Sequence, residues 1–135
     1  MKQRPLRFVV FLLALGSVFG FLYTIPASAD NVYASIRGVV TDPAGAAVPN
    51  AMITATNIDT GIVTKTTSSG AGNYVFPQLA IGNYRVSATG PNFKTFQTNS
   101  FILAVNEVYD LPIRFELGSA SETVEVNAEA AQVVT

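Results

Sequence analysis

The chain has 135 residues, a formal net charge of −1, and no cysteine, histidine or tryptophan. These absences exclude a disulfide, a thiolate nucleophile, a zinc finger, a haem-attachment site and a cysteine-held iron–sulfur cluster. They also remove the side chain that most often moves protons near neutral pH. Eight basic residues against nine acidic ones, with charged residues at only 13%, predict no nucleic-acid surface.

Lys2, Arg4 and Arg7 make a basic start, and Phe8 to Ile25 is uncharged. Pro26-Ala27-Ser28-Ala29 follows, a helix breaker and then a small-x-small pattern. The arrangement predicts a signal-peptide helix within residues 1–29, cleaved between Ala29 and Asp30, with Ala27 and Ala29 as the small residues that signal peptidase reads. A retained anchor is the alternative, because an uncharged run of this length stands at the lower limit of a membrane span. Gly16, Ser17 and Gly20 weaken that alternative. Cleavage leaves Asp30 to Thr135, 106 residues with five basic and nine acidic side chains and a net charge of −4. An acidic, exported, cysteine-free domain suggests the periplasm or outer membrane of a bacterial envelope, or secretion.

The remainder reads as short strands between turns. Ser35 to Thr41 is β-branched and apolar, and Gly38 within it signals a bulge or a close backbone approach. Asp42-Pro43-Ala44-Gly45 has turn chemistry, Asp42 bonding its own backbone and Gly45 accepting positive φ. Ala51 to Thr56 alternates apolar and hydroxyl residues, the period of a half-buried strand. Asp59-Thr60-Gly61 turns the chain into a hairpin partner, Ile62 to Thr67. Ser68 to Asn73 is a loop, and Tyr74-Val75-Phe76 a short strand stopped by Pro77.

Gly82-Asn83 leads into Tyr84 to Thr89, with Tyr84, Val86 and Ala88 on one face. Gly72-Asn73 does the same for Tyr74: each pair turns the chain just before an aromatic residue that enters the core. Gly90-Pro91-Asn92 precedes a strand from Phe93 to Thr98, and Phe101–Val105 and Val108–Leu117 supply the last strands of the body. No stretch has a sustained helical period. About seven strands spaced by about ten residues predict an all-β, antiparallel sandwich, its core drawing on Tyr74, Phe76, Tyr84, Phe93, Phe96 and Phe101 while Tyr33 and Tyr109 stay open to another role.

Gly38-Val39-Val40-Thr41-Asp42-Pro43-Ala44-Gly45-Ala46-Ala47-Val48-Pro49-Asn50-Ala51 resembles the opening of the carboxypeptidase regulatory-like domain, a transthyretin-like, carbohydrate-binding-like sandwich. Gly72-Asn73-Tyr74-Val75-Phe76-Pro77-Gln78-Leu79, Gly82-Asn83-Tyr84-Arg85-Val86 and Pro91-Asn92-Phe93-Lys94 match its later blocks. The resemblance covers residues 33–117. Asn50 and Asn92 stand where the family often has glycine, and Asn tolerates left-handed φ best after glycine. Ala71 and Ile81 replace a frequent Asp and Pro.

The acids offer little for catalysis. Asp42 and Asp59 sit in turn sequences, and Glu122, Glu125 and Glu129 crowd the C-terminal segment. Nothing in the pattern sets two carboxylates across a pocket or builds a calcium loop. The sequence therefore predicts no enzyme, cofactor or metal.

Gly118-Ser119-Ala120 breaks the strand pattern, so residues 118–135 are expected to form an extended tail or linker. That tail resembles the segment following such domains at the N-terminus of Oar-like TonB-dependent outer-membrane transporters. Glu122-Thr123-Val124-Glu125-Val126-Asn127-Ala128 is similar to a TonB box, an extended peptide that the partner TonB captures by strand addition; Glu125 departs from the usual run of valines. The alternative is an edge strand of the sandwich with a frayed end. The resemblance implies a non-catalytic module of a transporter with TonB or a plug and barrel as partner. A free-standing domain binding carbohydrate or an envelope protein is the second expectation, and would present two or three exposed aromatics on one face. An accessory domain of an exported peptidase is the third.

Overall fold

In a computed structural model, residues 32–132 are described; the expected signal helix and the cleavage residues Ala27, Ala29 and Asp30 lie outside them. The strands are β1 (Tyr33–Thr41), β2 (Met52–Asn57), β3 (Val63–Thr67), β4 (Asn73–Ala80), β5 (Gly82–Thr89), β6 (Thr95–Thr98), β7 (Phe101–Leu103), β8 (Val108–Asp110), β9 (Ile113–Arg114) and β10 (Thr123–Val126), and a short helix α1 (Ala128–Gln132) follows.

Two sheets face each other. In the four-stranded sheet, β4 and β8 flank β1, and β9 pairs with β1 beyond β8. The six-stranded sheet runs β10-β6-β5-β2-β3, with β7 beside β6 on the same flank of β5. Alternation along the strands dictates what lies between: Ile36 and Val40 of β1, Ile53 and Ala55 of β2, Tyr74 and Phe76 of β4, and Tyr84, Val86 and Ala88 of β5 all point inward and are buried. Phe96, Phe101, Leu103, Leu111, Ile113 and Phe115 complete the core, and Phe93 stacks on Phe115 with centroids 4.7 Å apart. Each Val, Ile, Leu or Phe side chain among them, fully buried, stabilises the fold by roughly 1.5–3 kcal/mol before entropy is counted.

The sandwich is the one expected, with three differences in detail. The sheets are mixed rather than wholly antiparallel: β1 is parallel to β8 and β9, and β10 is parallel to β6. Adjacent hairpins force antiparallel pairing, but strands distant in sequence reach their partners by crossing between sheets, which leaves direction free. Pro77 does not stop β4. It sits where the pairing with β1 shifts register between Ala34 and Ile36, on an edge strand, and there its missing N–H costs no ladder bond. The run from Val108 to Leu117 is split into β8 and β9 by Pro112, which cannot donate to the ladder.

Gly38 shows the close approach its sequence position suggested. A Cβ there would lie 2.1 Å from the Leu111 carbonyl oxygen and 2.9 Å from the Tyr74 ring. Leu111 N–H donates to the Arg37 carbonyl at 2.8 Å, holding that corner against β1. Gly38→Ala should therefore push β1 off the corner and lose about 3 kcal/mol or more of stability. Gly70→Ala, at an ordinary φ with open space around it, should change stability by no more than about 1 kcal/mol. Urea unfolding of both variants checks this, and equal effects would contradict it.

Candidate functional site

The turn residues hold the body as their sequence suggests. Asp42 Oδ1 accepts from the N–H groups of Ala44 and Ala46, both at 2.9 Å, in the loop that contains Gly45. Gly72 has φ 79°, and a Cβ there would come within 2.6 Å of the Val40 carbonyl, so only glycine fits. Gly82 opens β5 directly before Asn83 and Tyr84. Asn50 and Asn92 take the left-handed conformation at φ 57° and 64°; Asn106, at φ 59°, does so without having been singled out.

The C-terminal segment is where the structure adds most. Thr123–Val126 is a strand added to the edge of the large sheet, pairing Thr123 with Thr95, Val124 with Phe96, Glu125 with Gln97 and Val126 with Thr98. Thr95 N–H donates to the Glu122 carbonyl at 2.8 Å and Asn99 N–H to that of Val126 at 3.1 Å. In a parallel ladder this alternation aims the peptide groups of Thr123 and Glu125 at the open edge. Val124 and Val126 turn half-buried toward the core, while Thr123 and Glu125 are exposed.

Further contacts tie the segment down. Lys94 Nζ lies 3.6 Å from Glu122 and 3.8 Å from Glu116, and Thr95 Oγ1 donates to the Ala120 carbonyl at 2.7 Å. Asn127 Oδ1 caps α1, accepting from Glu129 N–H at 3.0 Å. Ala128 is fully buried, and its N–H donates to Asn99 Oδ1 at 3.1 Å. Thr123 to Ala128 thus form an edge strand and its turn, because Val126 and Ala128 have a sheet edge and core to pack on. The ion pairs contribute little, being largely exposed; the ladder and Ala128 hold the segment.

The remaining acids serve structure or stand on the surface. Asp59 Oδ2 accepts from Asn83 N–H at 3.0 Å, and Glu107 Oε2 from Ala104 N–H at 2.8 Å. Arg37 Nε meets Asp110 at 2.8 Å on the outer face of the small sheet, both side chains more than half exposed. Among the described residues, no group of three or more acids could hold a metal ion. Of the aromatic side chains described, Tyr33 alone is exposed, so no multi-ring stacking surface forms among them.

Three buried tyrosines differ in one respect. Tyr74 and Tyr84 enter the core as expected, donating to the carbonyls of Leu111 at 2.5 Å and Ala80 at 2.8 Å. Tyr109 is also buried and stacks on Phe101 with centroids 4.4 Å apart, but its hydroxyl is buried without a hydrogen-bond partner. Burial pushes the Tyr109 phenol up to about 12, with Glu129 and Glu107 adding to the shift. Burial, aided by Asp110, pushes Tyr74 up as well. The sequence leaves Tyr109 open to another role, and the fold buries it without giving its hydroxyl a partner.

These strands, turns and blocks coincide with a known family. The family model of the carboxypeptidase regulatory-like domain matches residues 35–134, and the chain belongs to that family. Among curated proteins none matches in sequence. Solved structures share the fold at low identity. The Bacillus anthracis TIE protein is 15% identical with a TM-score of 0.52, over 64% of this chain and 17% of that one. Hydroxyquinol 1,2-dioxygenase from Pseudomonas putida DLL-E4 is 10% identical with a TM-score of 0.53, over 68% and 59%. Catechol 1,2-dioxygenase from Pseudomonas arvilla C-1 is 8% identical with a TM-score of 0.52, over 82% and 58%. The chain spans less than two thirds of each, and the likeness is one of fold.

The tyrosines make two measurable differences. Tyr74→Phe should cost about 1–2 kcal/mol, since it strands the Leu111 carbonyl, whereas Tyr109→Phe removes an unpaired buried hydroxyl and should be neutral or stabilising. Both phenols titrate higher when folded than the unfolded value of about 10, so the unfolded chain loses its protons first as pH rises. Stability should be constant in this respect below pH 10 and fall above it, and the fall should be smaller in either Phe variant. Denaturant melts from pH 8 to 11 measure both effects; an unchanged Tyr74→Phe midpoint would contradict the first.

Proposed function

We propose that the chain is a non-catalytic, exported module of the envelope, resembling the N-terminal extension of a TonB-dependent outer-membrane transporter, and that β10 is its docking strand. The observation that carries this reading is the state of residues 122–128. The TonB-box-like segment is already extended at a sheet edge, with the peptide groups of Thr123 and Glu125 on its free side and only Val124 and Val126 turned to the core. A partner with its own edge strand would complete the ladder there. Backbone bonds would supply affinity, and the outward Thr123 and Glu125 side chains would supply selection.

The family supports a module without chemistry of its own, and the basic start, uncharged run and Ala27-Ser28-Ala29 of the sequence support export to a partner in the periplasm. Carbohydrate as a ligand would have to rely on Tyr33 as its exposed ring, with no second exposed ring beside it among the described residues.

Two proline variants test the docking strand. Glu125→Pro removes an N–H on the open side and leaves the β6 ladder intact; Val124→Pro removes one that faces β6. Purified TonB periplasmic domain should bind the chain, and Glu125→Pro should abolish that binding while the thermal midpoint stays nearly unchanged. Val124→Pro should lose both binding and stability of the segment. Undiminished binding by Glu125→Pro would overturn the open-edge reading. For the transporter setting, the DNA following the codon for Thr135 should encode a plug and barrel in some frame, and unrelated sequence there would argue against it.

A further inference from the structure

Beside the docking strand, the other end of the same segment forms part of a depression of about 630 Å³. We propose that this depression, lined by Asn83, Phe101, Ile102, Glu107, Tyr109 and Glu129, binds an ammonium or guanidinium group carried on an alkyl stem, the chemistry of a lysine or arginine side chain.

Four observations converge on that class of ligand. The depression carries two carboxylates, Glu107 and Glu129, and no basic residue lines it. Among the described residues, neither carboxylate takes part in an ion pair. The Tyr109 hydroxyl is 97% buried by residue and lacks a partner, although buried polar groups in folded proteins are nearly always paired. Part of the lining is apolar: the Phe101 ring stacks on Tyr109, and Ile102 is 73% exposed.

Each component of the ligand has its counterpart here. An alkyl stem lies well on the exposed Ile102, as long basic side chains do on apolar surfaces. The cationic head meets carboxylates in charge-assisted hydrogen bonds and offers the tyrosine hydroxyl oxygen a donor. Water could satisfy that hydroxyl but would leave both carboxylates without a counter-charge. A divalent cation is a poor fit, because calcium takes six to eight oxygen ligands and two carboxylates with a phenol fall short. Burial is the main cause of the upward shift of the Tyr109 phenol, and the negative charges of Glu129 and Glu107 add to it.

The site is distinct from the open edge of β10, so it stands or falls separately from the proposed docking. The test is an NMR titration of the isotope-labelled chain with cadaverine, with Nα-acetyl-lysine methylamide, with an acetylated Gly-Lys-Gly peptide, and with the norleucine analogue of the lysine amide as uncharged control. The three amines should shift the resonances of Phe101, Tyr109 and Glu129, and the control should not. Glu129→Gln should weaken binding about threefold to tenfold, and Tyr109→Phe should weaken it while leaving the remaining spectrum in place. Glu116→Gln, an exposed acid outside the depression, should leave it unchanged. Equal affinity for cadaverine and the peptide points to free amines as the source, and tighter binding of the peptide to a polypeptide. Absence of shifts, equal shifts with norleucine, or equal losses in Glu129→Gln and Glu116→Gln would overturn the proposal.

Discussion

Gly38 lies so close to the Leu111 carbonyl that no side chain fits between them, and the geometry of the small sheet follows from that contact. The Leu111–Pro112 corner can press on β1 only because a hydrogen atom stands where a Cβ would be. With the corner in place, Leu111 N–H reaches the Arg37 carbonyl, and the Leu111 carbonyl receives the Tyr74 hydroxyl. One strand, one corner and one buried phenol are thus joined by a backbone approach and two hydrogen bonds. The corner also sets β8 and β9 on the same flank of β1, each parallel to it. From there Ile113 and Phe115 are delivered into the core.

What could be read in the sequence was whatever rests on local stereochemistry. Asp42 caps its own loop, Asn50 and Asn92 adopt positive φ, and Gly82-Asn83 delivers Tyr84 to the core, because neighbours within a few residues decide each outcome. Alternation sufficed to place Tyr84, Val86 and Ala88 on one face. Features decided by distant partners were not legible. Pro77 lies within β4 because a register shift in β1, about forty residues earlier, needs no N–H at that point. The parallel sense of β8, β9 and β10 depends on crossings between sheets, which carry no local turn signature. The missing partner of Tyr109 depends on what the whole fold fails to put near it.

The C-terminal segment illustrates the same division. Its alternation of Val with polar residues predicted an extended strand, and either a captured peptide or an edge strand satisfies that pattern. The structure makes it an edge strand, yet an edge strand is itself a template for another chain. The opposite edge of the large sheet, β3, is held apart by its own composition: Lys65 projects there between Val63 and Thr67, a charge of the kind that discourages strand addition. On β10 the corresponding outward residues are Thr123 and Glu125, so a neutral or basic partner strand meets no repulsion.

Docking also alters the energetics of capture. Ordering a free peptide costs roughly 1–2 kcal/mol per residue of backbone, and a partner meeting a disordered tail would have to overcome that cost across the segment. On β10 most of it has already been met by folding, so an added strand gains ladder bonds against a preformed edge. The same segment then turns at Asn127, whose carboxamide caps α1, and Ala128 is fixed by Asn99 immediately after β6 ends. Glu129 follows directly and lines the acidic depression. A strand bound at β10 and a cation held by Glu129 would therefore both act on the joint formed by Asn99, Asn127 and Ala128.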